Sequence, residues 1–187
     1  MNYATPQSQR GTSLVEVLVT MVILAIGLLA LAGLQARLHV LQMESYQRAQ
    51  ALILLRDMAS RISNNRYFAP DYITAAPLGS AACPVAPVAP APRQQWDAVE
   101  WCTDIVGAGE SLGGGNVGSL VGGRGCVEDL GGDEYLITVA WQGLAPISAP
   151  PASVTCGQNN YNTAGSACVN DLCRRVVTTV VRIPTLT

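Results

Sequence analysis

From Val17 to Ala36 the chain carries no charged side chain over 20 residues. At about 1.5 Å of rise per residue, a helix of that length matches the roughly 30 Å hydrocarbon thickness of a bilayer, so this stretch is long enough to span one. A secretory signal peptide carries its apolar region before the cleavage site. Here the segment from Met1 to Arg10 is polar, Gly11 closes it, and the apolar run lies wholly beyond. One carboxylate, Glu16, stands at the edge of the run. Carried to mid-bilayer depth, such a charge costs about 2.5 to 3.5 kcal/mol and calls for compensation. Locally, Ser13-Leu14-Val15-Glu16 reads as a capping box, with Ser13 capping the first helical amides and Glu16 returning to the Ser13 amide.

Six cysteines, Cys83, Cys102, Cys126, Cys156, Cys168 and Cys173, all follow the apolar run. An even number confined to one side of an anchor argues for an oxidising compartment and for disulfides. There is no C-x-x-C pair, and no histidine lies near Cys168 and Cys173, so neither a metal nor another cofactor is expected. The charge balance of 11 basic against 13 acidic residues gives no basis for a nucleic-acid surface. Every basic residue is arginine, dispersed along the chain, which reads as a solvated surface with some ion pairs.

Beyond the anchor the helical pattern persists in amphipathic form. Leu38, Leu41, Ser45, Ala49, Leu52, Leu55, Ala59 and Ile62 recur every three or four residues, so one helix is expected over 12–65, roughly 80 Å long. Gly27 and Gly33 are points where it can bend or pack closely against another helix. His39, the only histidine, has no nucleophile nearby and is assigned no chemistry. A proline-rich connection over 66–94 reads as irregular and then extended. Between Gln95 and Val106, the residues Trp96, Val99, Cys102, Ile105 and Val106 predict an inward helical face, with Asp97, Glu100 and Asp104 elsewhere. The stretch Gly107 to Gly125 holds nine glycines but has neither the strand–helix context nor the lysine of a phosphate loop, so it reads as a flexible loop. Strand patterns follow at Cys126 to Leu130, Tyr135 to Trp141 and Arg174 to Ile183, with Gly131-Gly132-Asp133 as a hairpin turn.

The polar leader, Gly11, Glu16 five residues beyond it and the apolar helix together resemble the class III signal of type IV prepilins. With the short Trp-containing helix, the hairpin ending in Thr138-Val139-Ala140-Trp141 and the closing Cys173-Arg174-Arg175-Val176-Val177, the chain is similar to the PilV family of minor type IV pilins. That resemblance implies an α+β, ladle-shaped fold, a long N-terminal helix packed on a small antiparallel sheet. It implies a leader over 1–11 removed after Gly11 by a prepilin peptidase and an N-methylated mature terminus at Thr12. The helix 12–65 divides into a membrane and assembly half, 12–36, and an amphipathic half, 37–65, ahead of a periplasmic head over 95–187. The implied role is a low-abundance subunit that primes pilus assembly at the inner membrane. Its partners would be the assembly platform, the other minor pilins and the major pilin, and it would take its place in the pilus to support twitching motility and adhesion. Glu16 would pair with the Thr12 amine of a neighbouring subunit. A type II secretion pseudopilin shares every N-terminal feature and remains the alternative. A membrane-tethered enzyme is weaker, since no His/Ser/Asp or Cys/His constellation is visible.

For the disulfides, Cys83 with Cys102 would staple the proline-rich segment to the short helix. Cys126 and Cys173 begin strands on either side of the central one, two strand spacings or roughly 9.6 Å apart. That exceeds the approximately 7 Å Cα limit for a disulfide, so each is expected to bond into the loop holding Cys156 and Cys168.

Overall fold

The computed structural model describes residues 11, 13–80, 83–109, 111–113, 115–116 and 120–184. The chain forms two compact units, Met1–Gln42 and Met43–Thr187. A single continuous helix, α1, runs over Leu14–Asn64 and so contributes to both.

In the first unit the helix is uncharged from Val17 to Ala36, and every residue from Ser13 to Gln42 is exposed. Its one hydroxyl between Val17 and Leu34 is satisfied internally, Thr20 Oγ1 donating to the Val17 carbonyl at 2.8 Å. Gly27 and Gly33 do not interrupt the helix, and a Cβ placed on either would meet nothing within 4 Å.

The second unit is an α+β fold. The last part of α1 turns Ala51, Leu54, Leu55, Met58 and Ile62 inward at helical spacing. After Asn64 the chain enters a 3₁₀ segment, Arg66–Tyr72, where the sequence pattern predicts only irregular backbone. Helix α2 spans Arg93–Val106 and ends on Gly107, whose left-handed φ of 64° lets the cap close. A two-residue ladder, β1 (Ser111–Leu112) with β2 (Gly115–Asn116), stands within the glycine-rich stretch. The main sheet is antiparallel, in the order β3 (Arg124–Gly131), β4 (Glu134–Gln142), β5 (Arg174–Arg182). Gly131, Gly132 and Asp133 make the β3–β4 turn at φ of 81°, 64° and 61°, a left-handed run that the two glycines adopt without strain and that aspartate visits more readily than most other residues.

Alternation along β4 puts Tyr135, Ile137, Val139 and Trp141 on the face that meets α1 and α2, all buried. Val177 and Val181 of β5 and Ile183 just beyond it pack against the same core. The opposite face is covered as well. Ala140 and Cys126 lie beneath Cys156 and Tyr161, supplied by the long connection between β4 and β5. The outer edge of β3 is closed by a strap over 74–78, with the Thr74 amide donating to the Val127 carbonyl at 3.0 Å and the Leu78 amide to Gly125 at 2.8 Å.

Two sequence expectations are corrected. In α2 the buried residues are Asp97, Trp101, Cys102 and Ile105, whereas Trp96 and Val99 are only half-buried. The inward face is rotated because Trp101 donates its indole N–H to the Leu54 carbonyl at 2.9 Å and Asp97 takes donors from two neighbouring elements, Arg61 and Tyr72, besides Arg93 of its own helix. The arginines are not all solvated, since Arg174 is 1% exposed and held in a polar knot described below.

Candidate functional site

Three groups of residues carry chemistry: the N-terminal segment, the cysteines, and two buried ionic clusters. At the N-terminus, Gly11 is exposed and non-helical. Residues 1–10 and Thr12, which the sequence reading makes leader and mature terminus, lie outside the described residues. The first helical amides turn onto the Ser13 carbonyl, which accepts from Glu16 N–H at 3.0 Å and Val17 N–H at 3.2 Å. Neither the Ser13 hydroxyl nor the Glu16 carboxylate has a hydrogen-bond partner among the described residues, so the capping box is not formed. Glu16 remains in the first turn, where a negative charge complements the helix dipole by about 0.3 to 1 kcal/mol. It is a lone carboxylate amid exposed Leu14, Val17 and Leu18.

The cysteines pair as Cys83–Cys102, Cys126–Cys156 and Cys168–Cys173, with Cα separations of 5.6, 5.9 and 5.1 Å. The first fastens the proline-rich connection to the buried face of α2, and the second fastens the β4–β5 connection across β3. The third closes a short turn immediately before β5. No group of three His, Cys, Asp or Glu side chains capable of holding a metal occurs among the described residues.

The larger ionic cluster centres on Asp97, which is 2% exposed. It accepts from Arg61 at 2.8 Å, from Arg93 at 2.9 Å and from the Tyr72 hydroxyl at 2.5 Å. Arg61 also reaches Asp57 at 2.7 Å and Glu100 at 2.6 Å, so α1, the 3₁₀ segment and α2 are tied at one point. Burial opposes the Arg61 charge, but hydrogen bonds to Glu100, Asp57 and Asp97 outweigh it and raise its pKa. Burial, reinforced by the bond to Asp97, pushes the Tyr72 phenol up to about 12. The second cluster lies behind the sheet. Arg174 donates to the carbonyls of Val154 at 2.6 Å and Cys156 at 3.0 Å and faces Asp171 at 3.2 Å. Asp171 in turn accepts the Asn159 amide at 2.8 Å, so the cluster braces the β4–β5 connection.

Sequence reasoning singled out neither cluster. Two pairs at helical spacing, Asp57 with Arg61 and Arg93 with Asp97, were visible signals for the first. Their convergence was not visible, because it depends on how α1 and α2 pack. Neither cluster has a nucleophile beside a base, and both serve as structural fasteners.

Residues 6–32 match the family described as the prokaryotic N-terminal methylation motif. No curated protein matches the chain, and no solved structure matches it. The chain thus carries a prepilin-type signal followed by an apolar helix that fits membrane anchoring, the N-terminal plan of a type IV pilin-like or pseudopilin-like subunit.

Proposed function

We propose that the chain is a minor type IV pilin of the PilV kind. In this reading prepilin peptidase cuts after Gly11 and the Thr12 amine is methylated. The helix stretch 12–36 anchors the subunit in the inner membrane, and the disulfide-bonded head stands in the periplasm. With other minor pilins the subunit primes assembly at the inner-membrane platform and then resides in the pilus beside the major pilin. The observation that carries this reading is the methylation motif over residues 6–32, joined to a helix whose apolar side chains from Leu14 to Leu41 are exposed among the described residues. Such a helix is satisfied in lipid before assembly and among equally apolar helices after it, so the transfer needs no catalytic residue. The disulfide-rich head supports a periplasmic location.

Deletion of the gene tests the reading. Surface pili and twitching motility are expected to fall while secretion of folded exoproteins continues, and intact mass of the extracted protein should begin at Thr12. Normal piliation with lost secretion would instead establish the pseudopilin reading, which the motif alone does not separate from the first.

A further inference from the structure

The loop over 143–147 is tied to the point where α1 enters the second unit. Glu44 is the first residue of α1 that bonds to another element among the described residues, accepting the Leu144 amide at 2.6 Å and facing Arg175 at 3.5 Å. Three further bonds fix the loop. The Gly143 amide donates to the Cys173 carbonyl at 2.7 Å, Arg175 donates to the Ala145 carbonyl at 2.5 Å, and the Ile147 amide donates to the Leu172 carbonyl at 2.8 Å. These backbone groups are committed within the chain while the apolar side chains are not, Leu144 being 48% and Ile147 54% exposed.

No charged residue occurs from Tyr135 to Asn170, so this loop brings no charge of its own that a low dielectric would penalise. Pro146 has no N–H to satisfy. Single exposed apolar side chains are ordinary. Leu130 and Val180 are as exposed, at 52% and 49%, but they lie at the opposite end of the sheet, beside the β3–β4 turn. What sets Leu144 and Ile147 apart is their tie to Glu44. That residue lies eight positions beyond Ala36, the last of the uncharged run, or about 12 Å of helical rise. The headgroup layer of a bilayer is about 5 to 7 Å deep. Sliding the helix inward by one turn, about 5 Å, spans the difference. The slide exchanges Val17, Leu18 and Val19 for the equally exposed Leu38, Val40 and Leu41, and the long side chain of Arg37 can reach back to the surface.

We propose that Leu144 and Ile147 form a lipid-contact surface that rests in the headgroup layer of the bilayer holding α1, given the anchoring of 12–36 proposed above. Because the anchor already keeps the loop near the membrane, a contact too weak to recruit a soluble protein is populated here. Entry into a filament breaks it, so the contact marks the subunit before assembly.

The test places the full mature chain, one copy per lipid nanodisc of phosphatidylethanolamine and phosphatidylglycerol, with leucine, isoleucine and valine methyl groups labelled for NMR. A lipid spin-labelled at its headgroup should weaken the Leu144 and Ile147 signals about twofold or more, while Leu130 and Val180 keep theirs. Leu144→Asp carries a charge into that layer, and Ile147 should then regain most of its intensity, with the buried Val139 signal unmoved as a check on the fold. A second lipid, spin-labelled deep in the acyl chain, reports the anchor through Ile23 and Ile26. Their weakening beside an unaffected Ile147 overturns the lipid contact and leaves the anchor standing. If they too are unaffected, the anchoring itself is refuted and the contact with it. Equal weakening at Leu130 and Val180, or a loss at Ile147 that persists in Leu144→Asp, also overturns the proposal.

Discussion

At Asp97 a single carboxylate serves three donors from three elements, so its loss should be felt far beyond its own helix. Asp97→Ala leaves Arg61, itself largely buried, facing the remaining gap with its charge intact. Removing one member of a buried pair typically costs about 3 to 5 kcal/mol. Glu100 meets the same arginine from a half-exposed position, and Glu100→Ala is expected to cost no more than about 1 kcal/mol. Urea unfolding of the two variants in detergent measures that contrast directly. Tyr72 supplies the pH signature of the same cluster. Its phenol rises from the ordinary 10.0 to about 12 in the folded state, so its stabilising contribution is fully present below pH 10.0 and is lost as pH climbs through about 12. Tyr72→Phe should flatten the decline of stability across that window, and a decline as steep as in the parent chain would assign it to other groups. The two pairs at helical spacing aside, the cluster was not legible in the sequence, where Asp97 looks like one of several outward carboxylates on α2. Periodicity sorts residues by polarity and has no means of marking a polar residue whose partners lie on other elements.

Elements stabilised by their own alternation were readable, and those held by distant contacts were not. Strands β4 and β5 announce themselves through β-branched and aromatic residues at every second position, and the amphipathic part of α1 through its spacing of three and four. The 3₁₀ segment Arg66–Tyr72 leaves no such trace, since Tyr72 is fixed by Asp97 and by Asn65, which donates to its hydroxyl at 3.1 Å. The covered back face of the sheet was equally hidden, being built from an alanine-, asparagine- and proline-containing connection that reads as loop. For the disulfides, strand spacing excludes a Cys126–Cys173 bridge, but the partner each takes depends on the path of that connection. Gly125 shows the same limit in a single residue. It looks like the tail of a flexible glycine stretch, yet it lies in β3 where α2 crosses closest, and a Cβ there would fall 2.5 Å from the Trp101 ring. Gly125→Ala must push α2 off the sheet or force Trp101 from its rotamer. A loss of about 1 to 3 kcal/mol is expected from such overpacking, measured by thermal or denaturant unfolding. Gly132→Ala makes a useful contrast, because it meets no neighbour and suffers only from its positive φ.

Across the whole molecule, the N-terminal signal was the most legible feature, because its information is linear: a polar leader, a glycine, a carboxylate at fixed spacing and an uncharged run that all sit on one continuous segment. An open groove between the 74–78 strap and α2 was the least legible, since its walls come from residues 58, 71–78 and 94–98 and exist only once those elements pack. The linear signal leads to the last prediction, which concerns Glu16 in the proposed filament. Within the chain this carboxylate has no partner among the described residues, and it stands among exposed apolar side chains. Removing it should therefore leave folding and leader removal unchanged, and membrane insertion should be unimpaired or slightly improved. In a filament bundle the balance reverses, because the methylated Thr12 amine of a neighbouring subunit would be buried at low dielectric without its counter-charge, a loss of about 3 to 5 kcal/mol. Both Glu16→Ala and Glu16→Gln should then be cleaved and inserted normally yet be depleted from sheared pili by about tenfold or more. The glutamine variant is the discriminating one, since it preserves size and hydrogen-bonding capacity while removing charge. Incorporation of Glu16→Gln at the parental level would mean that a hydrogen bond suffices, and the ion pair would have to be abandoned as the force that sets this subunit's register among its neighbours.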